Sequence, residues 1–223
     1  EELKQLRVAR WLGEQGLAEV VSTFMGAHAF PPDSSRSEYI EQIEQMLPEA
    51  AELAEYCDVF CEEGAFTVNE SRRLLEAARE AGMGLRIHAD EFGDTGGGTL
   101  GAELKVTSAD HLFGSSMETI EALRDAGVTG ILLPGTPLAL LSSEFAPARK
   151  MVAAGLPLAL ATDCNPNCYT ESMQMVMQLA VFRMGLTPGE ALTAATLNGA
   201  LALGRSNRGA IAPDWRADLL VCN

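Results

Sequence analysis

The chain has 223 residues, 47% of them hydrophobic, which is enough for one sizeable core and most simply one domain. Its net charge of -15 argues against nucleic acid or an anionic membrane as partner, because phosphates are repelled, but leaves room for a small anionic substrate held by local groups. No apolar run reaches the ~20 residues that span a bilayer, and no signal peptide is visible.

In chain order, residues 1–16 read as a helix with Leu3, Leu6, Val8, Trp11 and Leu12 apolar and a glycine stop. Residues 20–25 are β-branched and aromatic, a first strand, followed by a loop from Gly26 to Asp33. Ser37 is placed to cap a helix to about Tyr56, with Ile40, Ile43, Leu47, Ala51 and Ala54 on one face and Pro48 expected to kink or split it. A second strand covers 58–61, closed by Glu62, Glu63 and Gly64, and Asn69 is placed to cap a helix over 71–81. The third strand starts at Leu85 and ends in His88, Asp90 and Glu91. Asp94 to Gly98 then reads as a mobile loop, and 102–104 as a short helix.

A fourth strand covers 108–112, and Ser116 caps a helix ending at Gly127. The fifth strand is 130–134, a helix follows over 147–154, and the sixth strand, 157–163, ends in Asp163. Beyond the loop from Cys164 to Tyr169, a helix over 171–184 carries Met173, Met177 and Met184 on an apolar face, as core packing. Thr187 and Glu190 form a capping box for a last helix to about Leu203. Residues 1–6 resemble a helix already under way and 218–223 a strand cut as it begins, so the chain reads as a piece of a longer protein.

Short apolar strands alternating with helices call for parallel strands joined by right-handed crossovers. The spacing suits an α/β fold of the (β/α)8 type, of which six units make three quarters. An open doubly wound sheet is the alternative, but no G-x-G-x-x-G follows a first strand. The five cysteines, Cys57, Cys61, Cys164, Cys168 and Cys222, do not match a zinc ribbon and read as thiols of a reducing cytoplasm.

All three histidines fall at strand carboxyl ends: His28 at the first, His88 at the third and His111 at the fourth. Glu62 and Glu63 close the second strand, Glu91 the third and Asp163 the sixth. In a barrel these ends converge on one mouth. Imidazoles with a carboxylate suit zinc or iron(II) with a position left for water. Individually, His28 and His111 also read as hydrogen-bonded core histidines, and Asp163 as a turn cap.

The segments Gly26-Ala27-His28-Ala29, Tyr56 to Glu62, His88-Ala89-Asp90-Glu91-Phe92, Ser108 to Leu112, Leu133 to Thr136 and Thr162-Asp163-Cys164-Asn165-Pro166 resemble, in the same order, the imidazolonepropionase family of the amidohydrolase superfamily. The resemblance implies strands three to eight of a TIM-type amidohydrolase barrel over 1–210. Residues 211–223 would return toward a small β domain. It implies one divalent metal, zinc or iron(II), with His88 and Asp163 as ligands. His28 would contact the imidazolone, Glu91 would bind the ring and shuttle protons, and His111 would polarise the carbonyl or steady the attacking water. Asp163 would accept a proton, and Asn165, Asn167 and Cys168 would line the pocket. Asn167 and Cys168 depart from the glycine and hydroxyl residue common in bacterial members.

The family's first-strand His-x-His pair and its substrate-carboxylate arginine have no counterpart here. The implied reaction is hydrolysis of 4-imidazolone-5-propanoate to N-formimidoyl-L-glutamate in histidine degradation. The alternatives are a purine or pyrimidine deaminase, or an inactive barrel fragment that binds metal poorly alone and oligomerises through its open edges, a homodimer being one such form.

Overall fold

The computed structural model describes residues 1–16 and 18–221. Its sheet contains β1 (Thr23–Ala27), β2 (Tyr56–Cys61), β3 (Gly84–Ala89), β4 (Ser108–His111), β5 (Thr129–Leu132) and β6 (Leu158–Leu160). All neighbours are parallel, and their order in space is their order in sequence. Strands added one after another by right-handed crossovers put the crossover helices on one face, which makes the arc of a barrel. A doubly wound sheet reverses its order at a switch point and is thereby excluded.

The helices are α1 (Glu2–Glu14), α2 (Arg36–Leu53), α3 (Val68–Glu80), α4 (Gly97–Leu104), α5 (Met117–Ala126), α6 (Gly135–Ala139), α7 (Ala148–Ala154), α8 (Met173–Met184), α9 (Pro188–Ala195) and α10 (Leu197–Ala202). Among the described residues no helix is long and apolar enough to cross a membrane.

Successive strand residues point to opposite faces, and here the two faces differ in chemistry. Cys57, Val59 and Cys61 of β2, Leu85, Ile87 and Ala89 of β3, and Ala109 of β4 join the main hydrophobic core under the helices. The intervening residues are Tyr56, Asp58 and Phe60, then Arg86 and His88, then Ser108 and Asp110. These turn to the concave face. A second small cluster of Ile131, Leu133, Ala159 and Ala202 packs α10 against β5 and β6. Arg86 ties α10 to the early strands, donating to the Ala202 carbonyl at 2.9 Å with its guanidinium 4.1 Å from the Tyr56 ring centre. Tyr56 itself donates to the Leu203 carbonyl at 3.4 Å.

Several local expectations change. The caps of α2 and α3 are Ser35 and Thr67, each in a reciprocal capping box with Glu38 or Glu70, two residues before Ser37 and Asn69. Helix α2 runs unbroken through Pro48. The last predicted helix is two, α9 and α10, parted at Thr196, whose hydroxyl bonds back to the Leu192 carbonyl at 2.7 Å. Helix α6 was not expected. Residues 211–221 form no helix or strand, and the strand expected over 218–223 runs into Cys222 and Asn223, outside the described residues. Cys57, Cys61, Cys164 and Cys168 are free thiols, while Cys222 also lies outside the described residues.

The largest correction is the glycine run. Gly97 and Gly98 are not a mobile loop but the buried first turn of α4. A Cβ on Gly97 would lie 2.9 Å from the Ala89 Cβ and 3.1 Å from the Cys61 carbonyl oxygen. On Gly98 it would meet an Asp90 carboxylate oxygen and the Thr119 methyl, each at 2.6 Å. Glycine is there because α4 presses its backbone onto the end of β3.

Gly98→Ala is therefore expected to destabilise the protein by about 1–3 kcal/mol through overpacking, despite alanine's helix propensity. Gly189→Ala in α9, where a Cβ meets nothing within 4 Å, should be neutral or stabilising by up to ~1 kcal/mol. Urea unfolding of the two variants beside the parent protein measures both.

Candidate active site at the strand carboxyl ends

The end of β3 distributes its polar residues among three environments. Asp90 adopts a left-handed backbone with φ 54° and is fully buried. Its carboxylate accepts from the Thr95 N–H at 3.2 Å, the Thr95 hydroxyl at 3.3 Å, the Gly98 N–H at 3.2 Å and the Ser115 hydroxyl at 2.6 Å. Asp90 is thus committed to joining β3, α4 and the loop after β4. Glu62 is likewise committed to the scaffold, accepting the N–H groups of Glu91 at 2.8 Å and Phe92 at 3.2 Å. With its backbone held there, Glu91 lines the cavity instead.

That cavity, of about 860 Å³, is lined by His28, His88, Glu91, His111 and Asp163 together with Asn165, Asn167 and Cys168. The eight candidate residues from separated stretches of sequence therefore face one space. The imidazoles follow each other along its wall, with ring centres 4.8 Å apart for His28 and His88 and 5.3 Å for His88 and His111. Phe60 stacks on His28 at 6.1 Å. His111 and Asp163 both have left-handed backbones, φ 71° and 54°, conformations uncommon outside glycine and concentrated at functional sites.

Hydrogen bonding separates the roles further. Asp163 accepts from the Thr136 hydroxyl on one oxygen and from Asn165 Nδ2 at 2.8 Å on the other. Asn165 Oδ1 accepts the N–H groups of Asn167 at 2.8 Å and Cys168 at 3.1 Å. The Asn165 amide is occupied in shaping the loop, although the residue lines the cavity. Cys168 is buried, its thiol 3.7 Å from the Thr162 carbonyl and 3.6 Å from the Thr170 hydroxyl. Asn167 is exposed at the rim.

His28, Asp58 and His88 offer ligand atoms within 4.8 Å of one another, a grouping compatible with a metal ion. Asp163, expected beside His88 as a ligand, is outside this group. Asp58 Oδ1 lies 2.8 Å from His88 Nδ1 and 3.4 Å from His28 Nε2. Both ring nitrogens of His28 are buried without a hydrogen-bond partner.

Charge within the site is strongly perturbed. Burial works against protonation of His88, but the charge and hydrogen bond of Asp58, with Asp110 and Asp163 behind them, raise it to about 10. Burial and repulsion from His88, opposed by Asp58, lower His111 to about 3, leaving a neutral imidazole. Burial, opposed by His88 and reinforced by Asp163 and Glu62, raises Glu91 to about 7. His111 Nε2 lies 3.6 Å from Glu91 Oε2.

Asp58, Asp110 and Thr136 lie within the resembling segments, but the sequence reading gave them no role. Asp58 did carry a signal, as a charged residue within an apolar strand and two positions from Phe60, hence on the same face. Asp110 carried the same signal beside His111. Thr136 lies in the resembling segment Leu133 to Thr136, but nothing in the sequence tied its hydroxyl to Asp163.

Three comparisons bear on this arrangement. Residues 9–223 match the family model described as amidohydrolase family. Proteins named imidazolonepropionase are 50% identical in Syntrophobacter fumaroxidans, over 99% of this chain and 53% of theirs, and 47% identical in Geobacillus kaustophilus, over 100% and 54%. The chain thus spans about half the length of the curated relatives it matches. An adenosine deaminase from Xanthomonas campestris with bound zinc superposes with a TM-score of 0.72 at 21% identity, covering 96% of this chain and 54% of that one. A guanine deaminase from C. acetobutylicum with bound guanine gives 0.73 at 15%, covering 96% and 58%. At those identities the structures speak for the fold alone, which is the amidohydrolase barrel. Carried by a sequence match over nearly its whole length, this chain belongs to the amidohydrolase family.

Proposed function

We propose that the chain carries the strand-end machinery of an imidazolonepropionase, hydrolysing the cyclic amide 4-imidazolone-5-propanoate to N-formimidoyl-L-glutamate in histidine degradation. The observation that carries this reading is the likeness to proteins of that name across the whole chain, at 50% identity in the example above. The site is chemically suited to it, with three imidazoles, a carboxyl group titrating near neutrality and a second carboxylate around one cavity.

The donor set also fits a divalent metal, zinc or iron(II). His28 has unpartnered ring nitrogens, His88 has one nitrogen engaged and one free, and the Asp163 carboxylate lines the same cavity. His88 and Asp163 are the residues proposed to hold it. A metal there supplies a water acidified to a pKa near 7.

Hydrolysis adds hydroxyl to the ring carbonyl carbon and hydrogen to the ring nitrogen as the carbon–nitrogen bond breaks. Asp163, fixed by Thr136 and Asn165, accepts the proton that the attacking water gives up. His111 is neutral, so its role is to donate an N–H to the carbonyl oxygen as negative charge develops there. Glu91 holds a proton up to about pH 7 and delivers it to the departing nitrogen, which leaves poorly as an anion. His28 faces the ring of the substrate, and Asn167 and Cys168 border it. Asn165 acts through the loop it closes.

Turnover of the imidazolone by the intact, metal-loaded protein should fall by at least about 10³-fold in His88→Ala. Equal rates in the two proteins, or ammonia release from aminopurines or cytosine without imidazolone turnover, would overturn the assignment. Glu91→Gln should lower kcat by about 10²–10⁴-fold and abolish the decline of kcat above about pH 7.

The same group gives a stability test. A carboxyl raised from 4.5 to about 7 binds its proton more tightly folded than unfolded, so folding stability falls as pH rises through that window. In metal-free protein, Glu91→Gln removes this loss, gaining about 1–3 kcal/mol on the parent between pH 5 and pH 8. Urea unfolding at the two pH values reads the difference.

A further inference from the structure

Asp58 belongs to no step of the reaction described above, yet it is the buried carboxylate on which two of the site's imidazoles converge. It is 2% exposed, on β2, with Phe60 next on the same face of the strand. The cavity is lined by His28, His88 and Phe60 but not by Asp58, which stands behind the rings. Its Oδ1 is 2.8 Å from His88 Nδ1, an ordinary hydrogen-bond length, and 3.4 Å from His28 Nε2.

We infer that Asp58 is a positioning residue: it accepts the His88 Nδ1 hydrogen, so that Nε2 is the nitrogen presented to a metal, and it draws His28 into place with the same oxygen. The inference rests on the proposal that His88 is a metal ligand. Geometry distinguishes this role from that of a third ligand. The nitrogen of His88 nearest Asp58 is already occupied by it, and the opposite nitrogen lies across the ring. A ligand to an ion in the cavity has to reach that space, and Asp58 does not border it. A carboxylate behind a ligating imidazole fixes the tautomer, fixes the ring plane and raises the basicity of the nitrogen facing the metal. The arrangement needs no movement of Asp58, whose backbone is held in register with Arg86 between β2 and β3.

One oxygen serving two rings also couples them. Loss of the Asp58 charge should loosen the metal ligand and the residue proposed to face the substrate together, a combination that a change at either histidine alone does not produce.

The test is zinc affinity of the intact protein by competition with a chromogenic chelator, for the parent, Asp58→Asn, Asp58→Glu and His88→Ala. Asp58→Asn is expected to bind zinc about 10–100-fold more weakly than the parent and to raise KM for the imidazolone, with Asp58→Glu recovering part of the affinity. A parent-like affinity in Asp58→Asn, with His88→Ala impaired, would overturn the role of Asp58 and leave the site assignment standing. A parent-like affinity in His88→Ala would overturn both. The ¹⁵N spectrum of the zinc-loaded parent needs no variant and decides the matter if Asp58→Asn does not fold. Zinc on His88 Nε2 with a protonated Nδ1 is expected, and zinc on Nδ1, or an Asp58 oxygen bound to zinc in a crystal structure of the loaded protein, overturns the inference.

Discussion

A carboxylate taken out of water has to be met by donors, and that requirement organises the mouth of this barrel. Asp90, Glu62 and Asp58 are all nearly or wholly buried, and each is compensated differently. Asp90 collects hydroxyl and backbone donors from the loop after β3, from α4 and from the loop after β4. Glu62 collects the backbone of the residue that carries Glu91. Asp58 collects the His88 imidazole, with His28 close to the same oxygen. Glu91 is left without strong donors, and so it is driven toward neutrality. The difference between the scaffold acids and the acid proposed to react is therefore one of hydrogen-bond supply and not of residue type. Four acids within a few residues of strand ends were chemically equivalent until the chain folded.

The same logic separates the histidines. His88 has a carboxylate at its back and is held charged, while His111 stands close to that charge with a weaker partner and is held neutral. Two identical side chains about 5 Å apart are thereby given opposite protonation preferences in the metal-free site.

Much of this was legible in the chain itself. Alternation of short apolar runs with helices led to the parallel arc, and the strand-end positions of His28, His88, His111 and Asp163 led to a shared cavity. Sequence periodicity encodes local geometry directly, which is why those elements emerged. The caps at Ser35 and Thr67 were also readable, since each has a glutamate three residues on, and choosing Ser37 and Asn69 neglected that second half of the motif. Gly97 and Gly98 were a different matter. Glycines are ambiguous between freedom and close approach, and only the distance to Ala89 and Asp90 separates the two meanings. Asp58 was overlooked because a charge within a strand acquires its purpose from the neighbouring strand, and pairing between strands is invisible along one dimension.

The attachment of α10 to the concave face has a temporal consequence. Arg86 and Tyr56 finish their hydrogen bonding with carbonyls 116 and 147 residues further along the chain. A ribosome adding about 5–20 residues per second delivers those acceptors on the order of ten seconds after the strands themselves emerge. In that interval β2 and β3 can hydrogen-bond to each other while the polar interior between them stays open to solvent. The concave face around Arg86 and Tyr56 is thus open to water until α10 follows to cover it.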